Sequence, residues 1–195
     1  RNFSKKKSRS VDNKPFGGGA GMVIQPDILQ DSLNFAKKSL SKRSKIIYLS
    51  PSGIPLKQKT VKKITSFEDV VLICGRYEGV DQRFIEHNDI EEISVGDYVL
   101  TGGEFASFIL IDACVRLIPE VLGNNESLNS ESFQNYLLEY PQYTKPLLWK
   151  KMRPPDVLLS GNHKNISDWR LKKYLKKTKK IRPDLYNKYK MRKKR

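Results

Sequence analysis

Residues able to crosslink the chain or hold a soft metal are scarce: two cysteines and two histidines in 195 residues. Cys74 and Cys114 stand apart in apolar stretches, neither belongs to a Cys-x-x-Cys pair, and His87 and His163 are isolated. A disulfide framework and a zinc site are therefore disfavoured; buried free thiols in a reducing cytoplasm are the expectation. Long apolar runs are also lacking. None approaches the roughly 18–20 residues that a membrane helix needs. Arg1-Asn2-Phe3-Ser4-Lys5-Lys6-Lys7 has no apolar core of the kind that marks a secretion signal. Position 1 is Arg rather than Met, which reads as part of a longer product.

Acidic side chains are short in number as well, 21 against 37 Lys and Arg, for a net charge of +16. The excess is localised. Residues 1–14 carry six basic and one acidic side chain, residues 164–195 fifteen and two, and the body between is close to neutral at −2. Such asymmetry points to a polyanion, nucleic acid above all, with a solvated and merely solubilising tail as the alternative.

Short apolar runs alternate with helical patterns. Asp27 to Lys42 reads as an amphipathic helix with Asp27 as its N-cap, and Ile46 to Leu49 as a buried strand. Lys57 to Ile64 reads as a helix, Val70 to Cys74 as a strand, and Val80 to His87 as a helix. Ile93 to Leu100 is strand-like, and Phe105 to Ile118 forms a strongly apolar helix stopped by Pro119. This order predicts an α/β domain with a mostly parallel sheet, whose ligands bind at the carboxyl ends of the strands. Polar residues 124–132 read as a linker, followed by a smaller, mainly helical and basic region.

Familiar phosphate motifs are absent. Gly17-Gly18-Gly19-Ala20-Gly21 is not followed by Lys-Ser/Thr, Gly102-Gly103 lacks a third glycine, and Ser160 is not bracketed as a nucleophile elbow. What remains is a set of glycine-bearing loops after apolar strands. They serve either as tight turns or as places where a planar ligand can approach the backbone. Arg116, inside an apolar run, sits either at an exposed helix edge or in electrostatic work.

These loops carry a resemblance. Ile93-Ser94-Val95-Gly96-Asp97-Tyr98-Val99-Leu100-Thr101-Gly102-Gly103-Glu104 and Cys74-Gly75-Arg76-Tyr77-Glu78-Gly79-Val80-Asp81 closely resemble the bacterial tRNA (guanine-N1)-methyltransferases. Gly17 to Met22, Tyr48 to Gly53, Tyr143-Thr144-Lys145-Pro146 and Leu158 to His163 match in the same order, so the likeness spans nearly the whole chain. The resemblance implies a trefoil-knotted α/β methyltransferase domain of the SPOUT class, a rare exception to unknotted topology, plus a small, mainly helical C-terminal domain. Its implied boundaries are residues 1–122 for the catalytic domain, 123–137 for the linker, and 138–195 for a tRNA-binding domain. It further implies a cytoplasmic homodimer without membrane contact. S-adenosyl-L-methionine is the implied donor, Mg²⁺ an optional auxiliary, and N1 of the guanosine 3′-adjacent to the tRNA anticodon the target.

By position, the donor would meet Tyr48, Leu49, Ser50 and Pro51, then Gly75, Tyr77 and Glu78. Val95, Gly96, Asp97, Tyr98, Val99 and Leu100 follow, with Gly102 and Gly103 completing the site. Arg116 matches an Arg near the target base, and Glu131 falls where a general base, usually Asp, is found. A base of this kind contributes about 10²–10⁴-fold. The departures are Glu131 for Asp, Asn135-Tyr136 where Asp-Gly is common, Lys145 for Arg, and the lack before Arg1 of a first strand and helix usual in the family. Rival readings are a knotted methyltransferase acting on ribosomal RNA or a ribose hydroxyl, and a non-catalytic RNA-binding protein.

Overall fold

Two short runs of alternating side chains organise the first part of the molecule. In the computed structural model, which describes residues 1–121 and 131–193, strand β3 (Ser44–Pro55) lies between β4 (Asp69–Cys74) and β5 (Glu91–Ser94), all parallel. Tyr48 of β3 faces one side of this sheet and packs with Ile46, Val71 and Ile73. Ile47 and Leu49 face the other side with Leu72 and Cys74. This period of two makes both faces apolar, as a parallel sheet covered by helices requires.

Helices α1 (Pro26–Lys37) and α3 (Gln82–His87) pack together, and their Leu33, Phe84 and Ile85 cover the Tyr48 face. Helices α2 (Gln58–Ile64) and α4 (Gly103–Val115) cover the other, through Ile64, Ala106 and Leu110. A two-residue ladder joins β1 (Asp12–Asn13) to β2 (Val23–Ile24). The α/β reading with a parallel sheet stands; it comprises three strands in the order β4-β3-β5.

Several expected boundaries move, each for a local reason. Gln25 occupies the N-cap position of α1 without a side-chain capping bond and Pro26 lies in the first turn, so Asp27 is not the cap; its charge lies in the first turn, favourable to the helix dipole. That helix ends at Lys37, because Lys38, Ser39 and Leu40 donate to carbonyls three residues back in a tightening turn. Strand β5 stops at Ser94 rather than running to Leu100. The Ser94 hydroxyl accepts from Gly96 N–H at 3.2 Å, and Tyr98 N–H returns to Gly96 O at 2.9 Å, which turns the chain. Cys74 and Cys114 are free but half-buried, a correction to full burial, since both sit at the margin of the core cluster.

The chain divides into two compact units, Arg1–Leu122 and Gly123–Arg195. The second contains α5 (His163–Ile181) and α6 (Pro183–Lys193). Asn162 caps α5 by accepting from Asn165 N–H at 3.1 Å. Buried Thr178 on α5 accepts the Leu138 N–H at 2.8 Å, and Tyr140 meets Tyr174 edge-on at 5.0 Å. Residues 123–130 of the expected linker lie outside the described residues. Its remainder, 131–137, folds within the second unit as a short 3₁₀ turn and buries Leu137.

Candidate functional site

The carboxyl ends of β3, β4 and β5 and the segments that follow enclose a cleft of about 320 Å³. It begins at the Tyr48–Ser52 stretch of β3. Residues 50–53 bulge there, since Leu49 and Ile54 both pair with Ile93. Gly53 allows the bulge: a Cβ would lie 2.5 Å from the backbone carbon of Glu92 and the nitrogen of Ile93. The loop after β4, Gly75 to Gly79, forms the second wall, with left-handed Tyr77 (φ 60°) and Gly79 (φ 109°). The buried Tyr48 hydroxyl supports it from beneath, within 3.0 Å of where a Cβ would stand on either Gly75 or Gly79. Burial and then the Glu92 charge push the Tyr48 hydroxyl pKa up, so it stays a neutral donor.

The third wall is Val95 to Leu100, completed by Thr101, Gly102 and Gly103. The second and third walls are joined. Arg76 and Gly102 form an isolated antiparallel bridge, and Gly103 N–H donates to Gly75 O at 2.9 Å. Arg76 Nε also bonds Glu104 Oε1 at 2.8 Å. The amide of Glu104 itself and then Arg76 hold that carboxyl below the usual range, in the first turn of α4. Gly75, Gly79, Gly96, Gly102 and Gly103 in the lining present peptide groups without a side chain, which suits a planar heterocycle or a polar small molecule.

Sixteen of the sequence-derived site residues can be located within the first unit. Fourteen line the cleft: Tyr48 to Pro51; Gly75, Tyr77 and Glu78; and Val95, Gly96, Tyr98, Val99, Leu100, Gly102 and Gly103. Asp97 does not. It is exposed at the turn, where the 95–100 segment presents its neighbours to the cleft instead. Arg116 caps the far end of α4, away from the cleft lining, in an open groove with Gln58, Phe108, Ile109, Asp112 and Ala113.

Glu131 belongs to the second unit, half-buried beside a cavity shared with Asn135, Tyr174, Tyr189 and Arg192. Its carbonyl accepts from Gln134 N–H, and Arg192 donates to Asn135 Oδ1 at 2.5 Å. Phe133, Asn135 and Tyr136 all take left-handed backbone (φ 74°, 52° and 63°) in this turn. For non-glycine residues that conformation costs about 1–2 kcal/mol each. Ser52, Arg76, Gly79, Thr101 and Ala106 also line the cleft and were not singled out. Ser52, Arg76, Gly79 and Thr101 all fall inside the motifs that carry the resemblance, which is the signal that points to them.

Comparison with known proteins agrees with this geometry. A family model described as tRNA (Guanine-1)-methyltransferase TrmD matches residues 1–188. A tRNA (guanine-N(1)-)-methyltransferase of Pelagibacter ubique is 49% identical over 190 residues, covering 97% of this chain and 82% of the relative. The proteins of that name from Ehrlichia canis and Clostridium beijerinckii are 47% and 49% identical over 186 and 188 residues, covering 95% and 96% of this chain and 79% and 77% of theirs. Matching across almost the full length, and through every wall of the cleft, the chain belongs to the tRNA (guanine-1)-methyltransferase family.

Proposed function

We propose that the protein transfers the methyl group of S-adenosyl-L-methionine to ring N1 of the guanosine 3′-adjacent to the anticodon of tRNA. The observation that carries this reading is the glycine-rich cleft at the carboxyl ends of three parallel strands, in a chain of this family. The residues present fit the donor. Gly75 and Gly103 keep side chains out where the two loops meet; a Cβ on Gly103 would lie 2.8 Å from Cys74 Cα. When bound, the donor supplies an electrophilic methyl on a positively charged sulfur.

Each part of the site then has a physical task. The peptide edges of Val95 to Leu100 would hydrogen-bond the donor's heterocycle, and Glu78, which lines the cleft, would accept from its ribose hydroxyls. Guanine N1–H is a weak acid, so its alkylation needs a base and stabilisation of charge moving onto the neighbouring carbonyl oxygen. Glu131 is proposed as that base and Arg116 as the cationic stabiliser. Among the described residues no group of three or more His, Cys, Asp or Glu side chains is placed to hold a metal ion, and no protein ligand set is assigned to Mg²⁺.

The proposal includes a trefoil knot in the first unit, supported by the meeting of Gly102-Gly103 with the Gly75-Arg76 loop. It also includes a homodimer. Helix α4 is apolar on all sides yet buries only Gly103, Ala106 and Leu110, leaving Phe105 and Phe108 63% and 65% exposed. An unpartnered face of that composition is what an isologous contact would cover. Among the described residues no helix is long and apolar enough to cross a membrane, and a cytoplasmic location follows from the tRNA substrate.

The test is methylation of a tRNA transcript with labelled donor, followed by digestion and mapping of the modified nucleotide. Label at N1 of the guanosine next to the anticodon is expected. Label on a ribose, or on ribosomal RNA alone, favours the neighbouring activities. Donor affinity without any transfer favours a binding protein.

A further inference from the structure

The Tyr143-Thr144-Lys145-Pro146 motif has no part in the cleft and lies in a groove of its own. This groove of about 500 Å³ in the second unit is lined by Tyr143, Lys145, Trp149, Met152 and Arg153 with their neighbours. Two of its walls are exposed aromatic faces, Tyr143 at 50% and Trp149 at 56%. Trp149 and Met152 close a tight hairpin by exchanging N–H···O bonds of 3.0 and 2.9 Å. Lys150 and Lys151 at its tip both adopt left-handed backbone, φ 49° and 64°. Positions of that kind favour Asn-Gly, so two lysines there carry a conformational cost and display two cations at one point.

Cations accompany the rings. Lys150 Nζ stands 5.1 Å from the Trp149 centroid. Tyr143 packs on Trp169 at 6.3 Å, and Lys173 Nζ lies 5.2 Å from the Trp169 ring. Residues 140–155 hold Lys145, Lys150, Lys151 and Arg153 and not one carboxylate. A surface with flat aromatic faces, adjacent cations and no acid matches a nucleotide, which has a π-face on one side and a phosphate on the other.

We infer that this groove holds an unpaired nucleotide of the RNA substrate, its base stacked on Trp149 and its phosphates met by Lys145, Lys150 and Arg153. The inference rests on the tRNA reading above and adds a second, non-catalytic contact point, selective for unpaired over base-paired RNA. An apolar protein segment is the other occupant the exposed Leu147 and Leu148 could take. The charge disfavours it, because four cations would then be desolvated without partners.

The experiment uses the full chain. Its two tryptophans permit a Trp169→Phe background in which Trp149 is the single indole reporter. Quenching of Trp149 emission by tRNA and by a short unpaired oligoribonucleotide is expected, with little by a blunt RNA duplex. In the otherwise native chain, Trp149→Ala should weaken tRNA binding about 10-fold, a typical loss for one stacked base, with donor affinity by calorimetry unchanged. Trp149→Phe should keep most of the affinity. Lys150→Gln with Lys151→Gln should flatten the salt dependence by about 0.7–0.9 for each phosphate no longer neutralised. Native tRNA affinity in Trp149→Ala, or equal quenching by duplex, overturns the inference. So does quenching by an apolar peptide but not by RNA. Absence of tRNA binding by the unsubstituted protein refutes the substrate reading and this groove together, whereas unsubstituted binding that Trp149→Ala leaves intact refutes the groove alone.

Discussion

Alanine at Gly103 sets two effects of opposite sign against each other. Gly103 is the first residue of α4, and replacing a helical glycine at compatible backbone ordinarily stabilises by about 0.4–1 kcal/mol. Here the added Cβ would lie 2.8 Å from Cys74 Cα and 3.2 Å from Cys74 Cβ and Gly75 N. These are largely backbone atoms of β4, which is paired with β3 along its length, and Gly75 is further held by the Gly103 N–H. They cannot swing aside, so the start of α4 must move. Overpacking of this sort costs about 1–3 kcal/mol, which leaves a net loss of about 1–2 kcal/mol after the entropic gain. At about 2–4 °C per kcal/mol for a chain of this size, the melting temperature should fall by roughly 2–8 °C. Neighbouring Gly102 supplies the control. Its φ of −177° suits any residue, and its Cβ would face the mobile end of the Glu104 side chain, so Gly102→Ala should melt close to the parent. Differential scanning calorimetry reads both. A Gly103→Ala protein as stable as the parent would show that α4 is not held against β4 at this point.

Gly102→Val should abolish donor binding by calorimetry with far-UV circular dichroism unchanged, because its branched side chain would displace Glu104 and Arg76 at the cleft wall; unaltered affinity would remove Gly102 from the site. Glu131→Gln should lower turnover by at least about 10²-fold at near-native tRNA and donor affinity, while Glu131→Asp stays active. Near-normal turnover in the Gln variant would assign the proton to another group. Replacing exposed Lys176, Lys179 and Lys180 with Gln should make log affinity for tRNA fall less steeply with log salt, by about 0.7–0.9 for each phosphate left without its cation, with donor affinity constant. Burial pushes the thiols of Cys74 and Cys114 up, so at pH 7.5 both should alkylate more slowly than a free cysteine; mass spectrometry showing faster reaction would contradict the packing.

The layers of the first unit were legible because β3 and β4 are short, apolar and flanked by helical periods. Strand β5 was over-read for a physical reason. Val95, Tyr98, Val99 and Leu100 have strand-forming side chains, but the Ser94 hydroxyl folds the chain back on Gly96, which no propensity registers. Asp97 was drawn into the site by its neighbours, whereas the cleft there is made by the segment around it. The junction of Gly102-Gly103 with Gly75-Arg76 joins positions far apart in sequence, and local patterns carry no information about such pairings. The apolar run of α4 likewise announced a helix without saying that half its surface would stay uncovered. Glu131 came from the resemblance alone; the polar segment around it gave no sign of the left-handed turn at Phe133, Asn135 and Tyr136.

The charge distribution acquires a purpose when it is resolved along the chain. The proposed reaction brings together a donor with a positively charged sulfur and a polyanionic RNA, which a single uniformly charged surface could not attract equally. Residues 15–122, which build the cleft, carry twelve basic and fourteen acidic side chains. Residues 123–195 carry nineteen basic and six acidic. The cleft itself, with Glu78 at its wall and Arg76 paired to Glu104, does not repel a cation. We propose that the RNA field comes instead from α5 and α6, where most lysines are exposed and able to exchange counterions for phosphates. Under that proposal each ligand meets a segment with its own balance of charge. That division also explains why a chain of net charge +16 keeps nearly all of that excess out of the segment that forms its cleft.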